Sequence, residues 1–383
     1  MNDGTNSQRS FLINAIYRPL GQRQMPVIGL ADDACAVLWS GTETPDADAY
    51  FYVNADAAPP TPARRSDTLQ LLFLSEPLCV YPIQYTHYIW RRFDFIFTSN
   101  EHLQHPRFIH CVRPFAGSLL PVPWNQDGSI QEKPDELLKR PKAICMINNN
   151  KQSRMAGELY SLRRQLALWF HQDQRIPFDV YGATPFDLPN YRGPAAAGKV
   201  ETLRHYRFAL CLENYYHPIW SNGYYTEKVF DALYALTVPI YLGCSNIDKY
   251  LPAACFIDYR HFTGPRHLRE YLETMPDAEY LSYTAAIRAF IAETNPLEHY
   301  HWHHVYEEIA TLLHAVRRDP DFVRRVRAQP LPRSYPQTER NAVALLNFYL
   351  QCLALRYPRL VRVGKRLGSL PCRGSRSASS IPE

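Results

Sequence analysis

The chain has 383 residues, more than one compact core usually holds, which favours two domains with extensions. Its net charge of +5 is modest and gathers in a tail, where residues 356–376 hold seven Lys or Arg and no acid. This distribution argues against a nucleic-acid-binding protein, which would spread basic residues over a folded face. The nine cysteines include no CxxC pair and mostly lie in apolar runs, which indicates reduced core thiols rather than zinc ligands.

Residues 1–135 are predicted to form an N-terminal α/β domain that binds the acceptor. The apolar runs that are typical of strands are FLINAIY (11–17), CAVLWS (35–40), LQLLFL (69–74) and FDFIFTS (93–99). The proline-dense stretch 55–65 indicates a loop. The Pro- and Gly-rich segment 114–136 is predicted to link this domain to the next.

A second α/β domain is predicted over residues 140–330. It opens with the strand KAICMIN (142–148), and a helix follows in which apolar residues recur at helical spacing from Leu159 to Phe170. Further strands are predicted at 177–182, 206–214 and 237–243, and further helices at 227–236, 267–275 and 283–293. This alternation predicts doubly wound parallel sheets. Two such Rossmann-like halves with a cleft between them form the GT-B architecture.

Residues 331–383 are predicted to form a C-terminal helix and a basic tail. The apolar part of this segment is too short to cross a bilayer and ends at Pro358. An interfacial helix with a polybasic extension fits anionic membranes, and a helix packed on the body followed by an extended tail fits nearly as well. The polar start of the chain indicates no signal peptide. We therefore expect a cytoplasmic protein that the tail holds peripherally at the inner face of the membrane.

The stretch around residues 213–228 predicts a nucleotide diphosphate site. A strand ends in Glu213-Asn214, a loop with Gly223 follows, and a helix begins at Thr226. Ligands of open α/β sheets bind beyond the carboxyl ends of strands, and phosphates favour helix N-termini. Lys228 lies in the first helical turn, where a cation is unfavourable by up to about 1 kcal/mol unless an anion binds there. Alternatively, Lys228 pairs with a nearby acid; in either case we expect the fold to tolerate its removal.

The block 199–262 contains KVETLRHYRF, LCLEN, YYTEKVFDAL, VPIYLG, NIDKYLP and FIDYRHF. In order and spacing it resembles the signature region of the α1,3/4-fucosyltransferases, with weaker similarity upstream through 146–170 and FDVYG. The resemblance implies an inverting glycosyltransferase that moves L-fucose from GDP-fucose to a saccharide hydroxyl. An α1,3 linkage on N-acetylglucosamine or glucose is the implied product.

The resemblance also implies which residues bind the donor. Glu227 and Lys228 match an acid–lysine pair, with Glu227 on fucose or ribose hydroxyls and Lys228 on the phosphates. Asn214 and Tyr224 are implied in nucleotide contact, Tyr224 by stacking on guanine.

An arginine on the first helix of the second domain is implied in phosphate binding. Arg163 is favoured over the adjacent Arg164 on spacing, and Arg192 is a third candidate. The inverting mechanism requires one carboxylate base from the N-terminal domain. The matching turn is SEP (75–77), where many members of the family have GEN, so Glu76 is the candidate base; the alternative is an ordinary turn residue.

No metal or other cofactor is expected, because Lys228 and Arg163 would stabilise the leaving diphosphate. A DxD pattern occurs at residues 46–48, but no strand is predicted to frame it. Four histidines alternate with aromatic residues without cysteine or a clear second ligand set, which favours a packed aromatic surface over zinc; they are His299, His301, His303 and His304. Two alternatives stay open: the same fold with another sugar nucleotide, and an inactive saccharide-binding protein associated with the membrane.

Overall fold

The computed structural model describes residues 11–17, 28–29, 35–55, 68–114 and 132–332. The predicted helix and basic tail at 331–383 lie outside the described residues except for the first two. Most of the predicted linker (114–136) and of the loop at 55–65 also lies outside them. No helix in the described ranges is long and apolar enough to span a bilayer.

The N-terminal domain is a seven-stranded sheet with the order β2-β3-β1-β4-β5-β6-β7. Its strands are β1 (Phe11–Ile16), β2 (Ile28–Gly29), β3 (Cys35–Ser40), β4 (Ala49–Val53), β5 (Leu69–Phe73), β6 (Phe95–Thr98) and β7 (Phe108–His110), and a short helix α1 (His87–Trp90) precedes β6. All neighbours pair in parallel except β2 and β3. Every residue of β4 and β5 is buried, as expected for strands that are covered on both faces.

The C-terminal domain is a five-stranded parallel sheet with the order β12-β11-β10-β8-β9. Its strands are β8 (Ile144–Ile147), β9 (Phe178–Tyr181), β10 (Phe208–Leu212), β11 (Val238–Leu242) and β12 (Ile257–Asp258). Its helices are α2 (Pro134–Lys139), α3 (Tyr160–Asp173), α4 (Lys199–Leu203), α5 (Glu227–Tyr234), α6 (Pro265–Thr274), α7 (Asp277–Thr294) and α8 (Pro296–His299). The architecture is therefore α/β with two Rossmann-like halves, which is the GT-B arrangement predicted from the alternation of elements.

The last two helices return to the first domain. Helices α9 (Trp302–Arg318) and α10 (Phe322–Ala328) pack their apolar side chains into the core of the N-terminal sheet. Tyr300 still belongs to the C-terminal core, whereas Trp302 belongs to the N-terminal one. Our predicted C-terminal domain, 140–330, therefore differs from the packing after residue 301, because sequence periodicity does not show which sheet a helix covers.

The strand orders show where ligands bind. In the N-terminal sheet the order reverses at β1, which lies between β3 and β4, and in the C-terminal sheet it reverses at β8, which lies between β9 and β10. Ligands of open α/β sheets bind at the carboxyl ends of strands beside such a reversal. Residues that follow these strand ends in both sheets line one shared cavity.

A close contact docks the site loop on the N-terminal domain. Ser99 donates a hydrogen bond to the carbonyl of Gly223 over 2.8 Å, and Tyr225 donates one to the carbonyl of Arg113 over 2.9 Å. Gly223 has a φ of +68°, and a Cβ there would lie 2.1 Å from the carbonyl oxygen of Ser99. Only glycine fits this position, and the two domains therefore meet at a fixed point beside the cavity.

Candidate active site

The cavity between the two sheets has a volume of about 530 Å³. Its N-terminal wall lies at the carboxyl ends of β1, β3, β4 and β5 and in the segment after β7. The residues of this wall include Tyr17, Trp39, Val53, Ser75, Glu76, Arg113 and Pro114. Its C-terminal wall includes Asn148, Asn149, Lys151, Arg163, Lys199, Asn214, Tyr224, Thr226, Glu227 and Lys228. All six residues that the sequence analysis assigned to the site therefore line a single cavity: Glu76, Arg163, Asn214, Tyr224, Glu227 and Lys228.

A buried carboxylate organises the start of α5. Glu213 is fully buried and accepts hydrogen bonds from the backbone N–H of Thr226 over 2.7 Å and from its hydroxyl over 2.8 Å. The Nζ of Lys228 lies 3.1 Å from the same carboxylate and 2.8 Å from the hydroxyl of Thr226. Thr226 caps the helix as predicted, since its side chain accepts from the backbone N–H of Lys228.

Our expectation that the fold tolerates the loss of Lys228 is not supported by this packing. The side chain of Lys228 is only 15% exposed, and its partner Glu213 is completely enclosed. Removing one member of a buried ion pair leaves the other charge uncompensated. Among the described residues the ammonium donates to Glu213 and Thr226, so the third of its N–H groups remains for a ligand in the cavity.

Gly243 provides the space for this buried carboxylate. A Cβ at residue 243 would lie 2.3 Å from the Cγ of Glu213 and 2.5 Å from its Cβ. Glu213 was not among our predicted site residues, although it is part of the LCLEN sequence. The available signal was an acid at the carboxyl end of a buried strand, where an unpaired charge would be costly.

A second ion-pair cluster lies beside the first. The Nζ of Lys199 lies 3.0 Å from Glu227 and 3.4 Å from Asp231. Burial alone would raise the pKa of Glu227, but the ammonium groups of Lys228 and Lys199 lower it to about 2. Burial raises the pKa of Asp231 to about 6, against the opposing effect of Lys199. Glu227 is thus ionised at neutral pH; Lys199, which we did not predict, is its partner.

The three arginine candidates occupy different environments. Arg163 is 3% exposed and lines the cavity, where its Nη2 donates to the carbonyl of Leu212 over 2.6 Å and to Oδ1 of Asn214 over 3.1 Å. Arg164 donates instead to Asn150, and neither it nor Arg192 lines the cavity. Among the described residues, none accepts from the Nη1 of Arg163, so two N–H groups remain for a ligand. This geometry favours Arg163.

Tyr224 lies against a buried arginine that the sequence analysis did not identify. The guanidinium of Arg113 lies 4.9 Å from the ring centre of Tyr224. The Nε of Arg113 also donates to the carbonyl of Tyr225 over 2.6 Å, and its Nη1 donates to the carbonyl of Ser75. The Tyr224 hydroxyl is buried without a hydrogen-bond partner among the described residues. Burial raises the pKa of Tyr224, so this hydroxyl is neutral at physiological pH. Stacking on guanine stays a prediction.

Glu76 is held in place through its backbone. The side-chain oxygen of Asn54 accepts from the backbone N–H of Glu76 over 2.8 Å and from that of Ser75 over 3.0 Å. The carbonyl of Glu76 accepts from Gln84 over 2.6 Å and from the hydroxyl of Tyr85 over 2.7 Å. No residue in the described ranges donates a hydrogen bond to its carboxylate. A fixed backbone with an available carboxylate at a cavity wall can serve as a proton acceptor.

The charges on the cavity wall favour an anion. Its described lining contains two carboxylates, Glu76 and Glu227, and five cationic side chains: Arg113, Lys151, Arg163, Lys199 and Lys228. The cations come chiefly from the C-terminal wall, whereas Glu76 comes from the other domain. Preorganised cations of this kind can stabilise a developing negative charge.

The DxD pattern serves the fold. Contrary to our expectation, a strand does frame it, because β4 begins directly after Asp48. Asp48 lies at the amino end of that strand, opposite the cavity, and accepts from the backbone N–H of Leu12 over 2.8 Å. The sequence indicates a loop here because Pro45 and the two acids directly precede β4, AYFYV.

The C-terminal domain is similar to a known protein family. A family model described as glycosyltransferase family 10 (fucosyltransferase), C-terminal, matches residues 138–327. This region belongs to glycosyltransferase family 10. The matched region contains four of the five cationic side chains that line the cavity, all except Arg113, and the ion pairs beneath them.

Two curated human relatives share 39% identity with this chain over 113 residues. They are the 4-galactosyl-N-acetylglucosaminide 3-alpha-L-fucosyltransferase FUT6 and the 3-galactosyl-N-acetylglucosaminide 4-alpha-L-fucosyltransferase FUT3. The match covers 28% of this chain and 29% of the FUT6 relative, so less than a third of that relative is represented. A crystal structure of an α1,3-fucosyltransferase with GDP aligns with a TM-score of 0.48 at 16% identity, over 78% of this chain and 94% of that one.

Proposed function

We propose that this protein transfers L-fucose from GDP-fucose to a hydroxyl of a saccharide acceptor, with inversion at the transferred sugar carbon. The observation that carries the proposal is the polarity of the cavity: cations converge from the family 10 region, and one available carboxylate, Glu76, faces the same space from the other domain. The names of the curated relatives, which are α-L-fucosyltransferases acting on galactosyl-N-acetylglucosaminides, support the choice of sugar and acceptor class.

The proposed reaction is a direct displacement. Glu76 takes the proton from the acceptor hydroxyl as its oxygen forms a bond to C1 of fucose. The bond between C1 and the diphosphate oxygen breaks, and GDP leaves with the bonding electrons. The third N–H of Lys228 and the Nη1 of Arg163 donate to the diphosphate and stabilise the negative charge that grows there. These protein cations perform the charge stabilisation that a metal ion performs in other transferases.

The remaining residues of the cavity bind other parts of the donor. Asn214 is oriented by Arg163 and lines the cavity beside the strand end. Glu227, ionised and held by Lys199, can accept hydrogen bonds from the hydroxyls of fucose or ribose. Tyr224 lines the same cavity. Each of these groups is therefore set before the donor arrives, which lowers the reorganisation cost of binding.

The decisive experiment is transfer from radiolabelled GDP-fucose to a panel of oligosaccharides that end in N-acetylglucosamine, N-acetyllactosamine or glucose. We expect a fucosylated product whose new linkage is α, as shown by NMR coupling constants and sensitivity to an α-L-fucosidase. UDP-glucose, UDP-galactose and GDP-mannose run in parallel. Transfer from one of those donors alone would show that another sugar nucleotide is the substrate. Binding of the oligosaccharide without transfer from any donor would favour the inactive binding protein.

Metal independence has its own test. Calorimetry of GDP and of GDP-fucose in EDTA should give the same affinity as in buffer with Mg²⁺ or Mn²⁺, since the proposed phosphate ligands are Lys228 and Arg163. Binding that disappears on chelation would overturn this part of the proposal.

Association with anionic membranes through residues 356–383 stays a prediction, as does the cytoplasmic location. The measurement is co-sedimentation of the full and trimmed proteins with phosphatidylserine vesicles. Each basic residue near such a surface contributes about 1 kcal/mol, so the trimmed protein should sediment less at low salt. Equal sedimentation of the two would contradict the prediction.

A further inference from the structure

A cluster of histidines and glutamates surrounds the point where the chain crosses between domains. Tyr300 lies in the C-terminal core and donates a hydrogen bond to the carbonyl of Tyr250 over 2.7 Å. Two residues later, Trp302 lies in the N-terminal core and lines the cavity. His303 and His304 follow in the first turn of α9.

The ring nitrogens of His303 lie beside two partners. The Nδ1 of His301 caps α9 by accepting from the backbone N–H of His303 over 3.2 Å. The Nδ1 of His303 lies 2.8 Å from that same nitrogen and shares a proton with it in the tautomer protonated at Nδ1. In that tautomer the Nε2 of His303 bears a lone pair, and it lies 3.3 Å from a carboxylate oxygen of Glu298. Two lone pairs at that separation repel each other.

His304 has the same conflict with a second carboxylate. Its Nε2 lies 3.2 Å from the backbone carbonyl of Glu298 and donates to it in the tautomer protonated at Nε2. The Nδ1 of that tautomer bears a lone pair and lies 3.3 Å from a carboxylate oxygen of Glu307. In these tautomers both imidazoles present a lone pair to a carboxylate, and a cation bound between the groups relieves the repulsion.

We propose that one late first-row divalent metal ion, of the class of Zn²⁺, is bound by His303, His304 and Glu307. One ligand atom from each of the three lies within 4.8 Å of the others. Glu307 is four residues from His303 and three from His304, so all three share one face of α9. Imidazole ligands favour Zn²⁺, Ni²⁺, Co²⁺ and Cu²⁺ over Mg²⁺ and Ca²⁺, and water completes the coordination of a half-exposed site.

The surroundings supply the outer contacts that metal-bound histidines need. A histidine that binds a metal usually donates its other ring N–H to a carbonyl, a carboxylate or another acceptor, which fixes its orientation. His303 does so to His301, and His304 does so to the carbonyl of Glu298. Our interpretation of these histidines as a packed aromatic surface did not take in Glu298 and Glu307, which supply the carboxylates.

The site is separate from the proposed transfer chemistry. No ligand of the metal lines the cavity, although Trp302, which does, immediately precedes His303. The bound metal would stabilise the first turn of α9, which lies where the chain passes from the C-terminal to the N-terminal domain.

The test is calorimetric titration of the untagged, full-length protein with ZnCl₂ and, separately, with MgCl₂, in the absence of GDP. We expect saturable one-to-one binding of Zn²⁺ and no binding of Mg²⁺ at this site. The variant H303A/H304A should bind Zn²⁺ at least about tenfold more weakly, since even outer-shell changes cost about 10- to 100-fold. The matched control is H299A, which removes a neighbouring exposed histidine outside the cluster. His301 stays intact because it caps α9.

Co²⁺ provides a second measurement that does not depend on activity. Visible absorption bands of Co²⁺ bound to nitrogen and oxygen ligands should appear in the wild type and in H299A, and should be lost in H303A/H304A and reduced in E307Q. Circular dichroism checks that each variant is folded. The proposal is overturned if the wild type shows no saturable Zn²⁺ binding, in which case protons occupy the cluster, or if H303A/H304A binds as tightly as the wild type. Neither outcome bears on fucose transfer, because no ligand of the metal lines the cavity.

Discussion

The two walls of the cavity hold their charged groups in opposite ways. On the C-terminal wall the side chains hold each other: Lys228 is fixed by buried Glu213, and Glu227 is fixed by Lys199. On the N-terminal wall Glu76 is fixed only through its backbone, by Asn54 on one side and by Gln84 and Tyr85 on the other.

The two arrangements suit two different catalytic roles. Groups that stabilise a developing charge act best when their orientation is set in advance, because nothing must reorganise during the reaction. A general base has to change its protonation state in every cycle, and a carboxylate locked into an ion pair would resist this. The following changes test whether the two walls divide the work in this way.

The largest effect is expected from Glu76→Gln, which keeps the shape of the side chain but cannot accept a proton. Turnover should fall by about 10²- to 10⁴-fold, the usual contribution of general-base catalysis. GDP affinity should not change, because the donor contacts lie on the other wall. The acidic limb of the kcat/KM profile should also disappear. The control is Glu101→Gln, an exposed N-terminal acid that pairs with Lys249. Unchanged turnover in Glu76→Gln would reduce Glu76 to a turn residue.

Lys228→Ala should affect both chemistry and stability. We expect a loss of about 2–4 kcal/mol of transition-state stabilisation, measured from kcat/KM. The free energy of unfolding should also fall by about 3 kcal/mol, because Glu213 is left buried without its cation.

The double variant Glu213→Gln/Lys228→Met separates these two effects. It removes both charges, so thermal denaturation should show that part of the stability returns, while donor affinity stays low. If the double variant also recovers donor affinity, Lys228 acts only as the partner of Glu213.

Arg163 and Arg164 form a natural matched pair. Arg163→Lys should weaken GDP binding by about 1.5–3 kcal/mol, the range for hydrogen bonds to charged groups, because lysine cannot hold Leu212 and Asn214 and still reach a phosphate. Arg164→Lys should change binding by less than about 0.5 kcal/mol, as for an ordinary surface position. Calorimetry of both variants decides the assignment, and a larger loss for Arg164 would reverse it.

The smallest effect concerns Asp231, whose pKa burial raises to about 6. Its folded pKa exceeds the ordinary value of about 3.9, so the wild type gains stability as the pH falls from about 6 to 4. Asp231→Asn lacks this gain, and its Tm advantage over the wild type at pH 7 should shrink by pH 4. Glu227, with a pKa of about 2, stays ionised in the folded state throughout this window. The control is exposed Asp187→Asn; a gap between Asp231→Asn and wild type that does not vary with pH would contradict the prediction.

Much of the fold was predictable because the buried parallel strands stand out as apolar runs. The helix at Thr226 was predictable from its cap, and all six assigned site residues lie around one cavity. Strand β4 was missed because the acidic and proline-rich sequence around it indicated a loop.

The partners of the site residues were harder to predict. Glu213 and Lys199 act through contacts with residues 15 and 28 positions away, and such pairing follows from burial rather than from local pattern. Arg113 is separated from its partners by a still longer stretch of sequence, since it contacts Tyr224 and Tyr225 in the other domain. For the same reason the sequence did not show that α9 covers the N-terminal sheet.

Because α9 belongs to the N-terminal core, that core cannot finish folding during synthesis until α9 has left the ribosome. The sheet made first has an apolar face, including Phe51, Phe73 and Phe97, that α9 covers only after residue 302 has been synthesised. Until then this face is a surface that invites aggregation. The family 10 region, residues 138–327, includes α9 and most of α10 but not the sheet they cover. The family model thus matches a stretch that is not a unit of folding, and residues 138–327 expressed alone would expose to solvent the apolar side chains by which α9 and α10 pack on the N-terminal sheet.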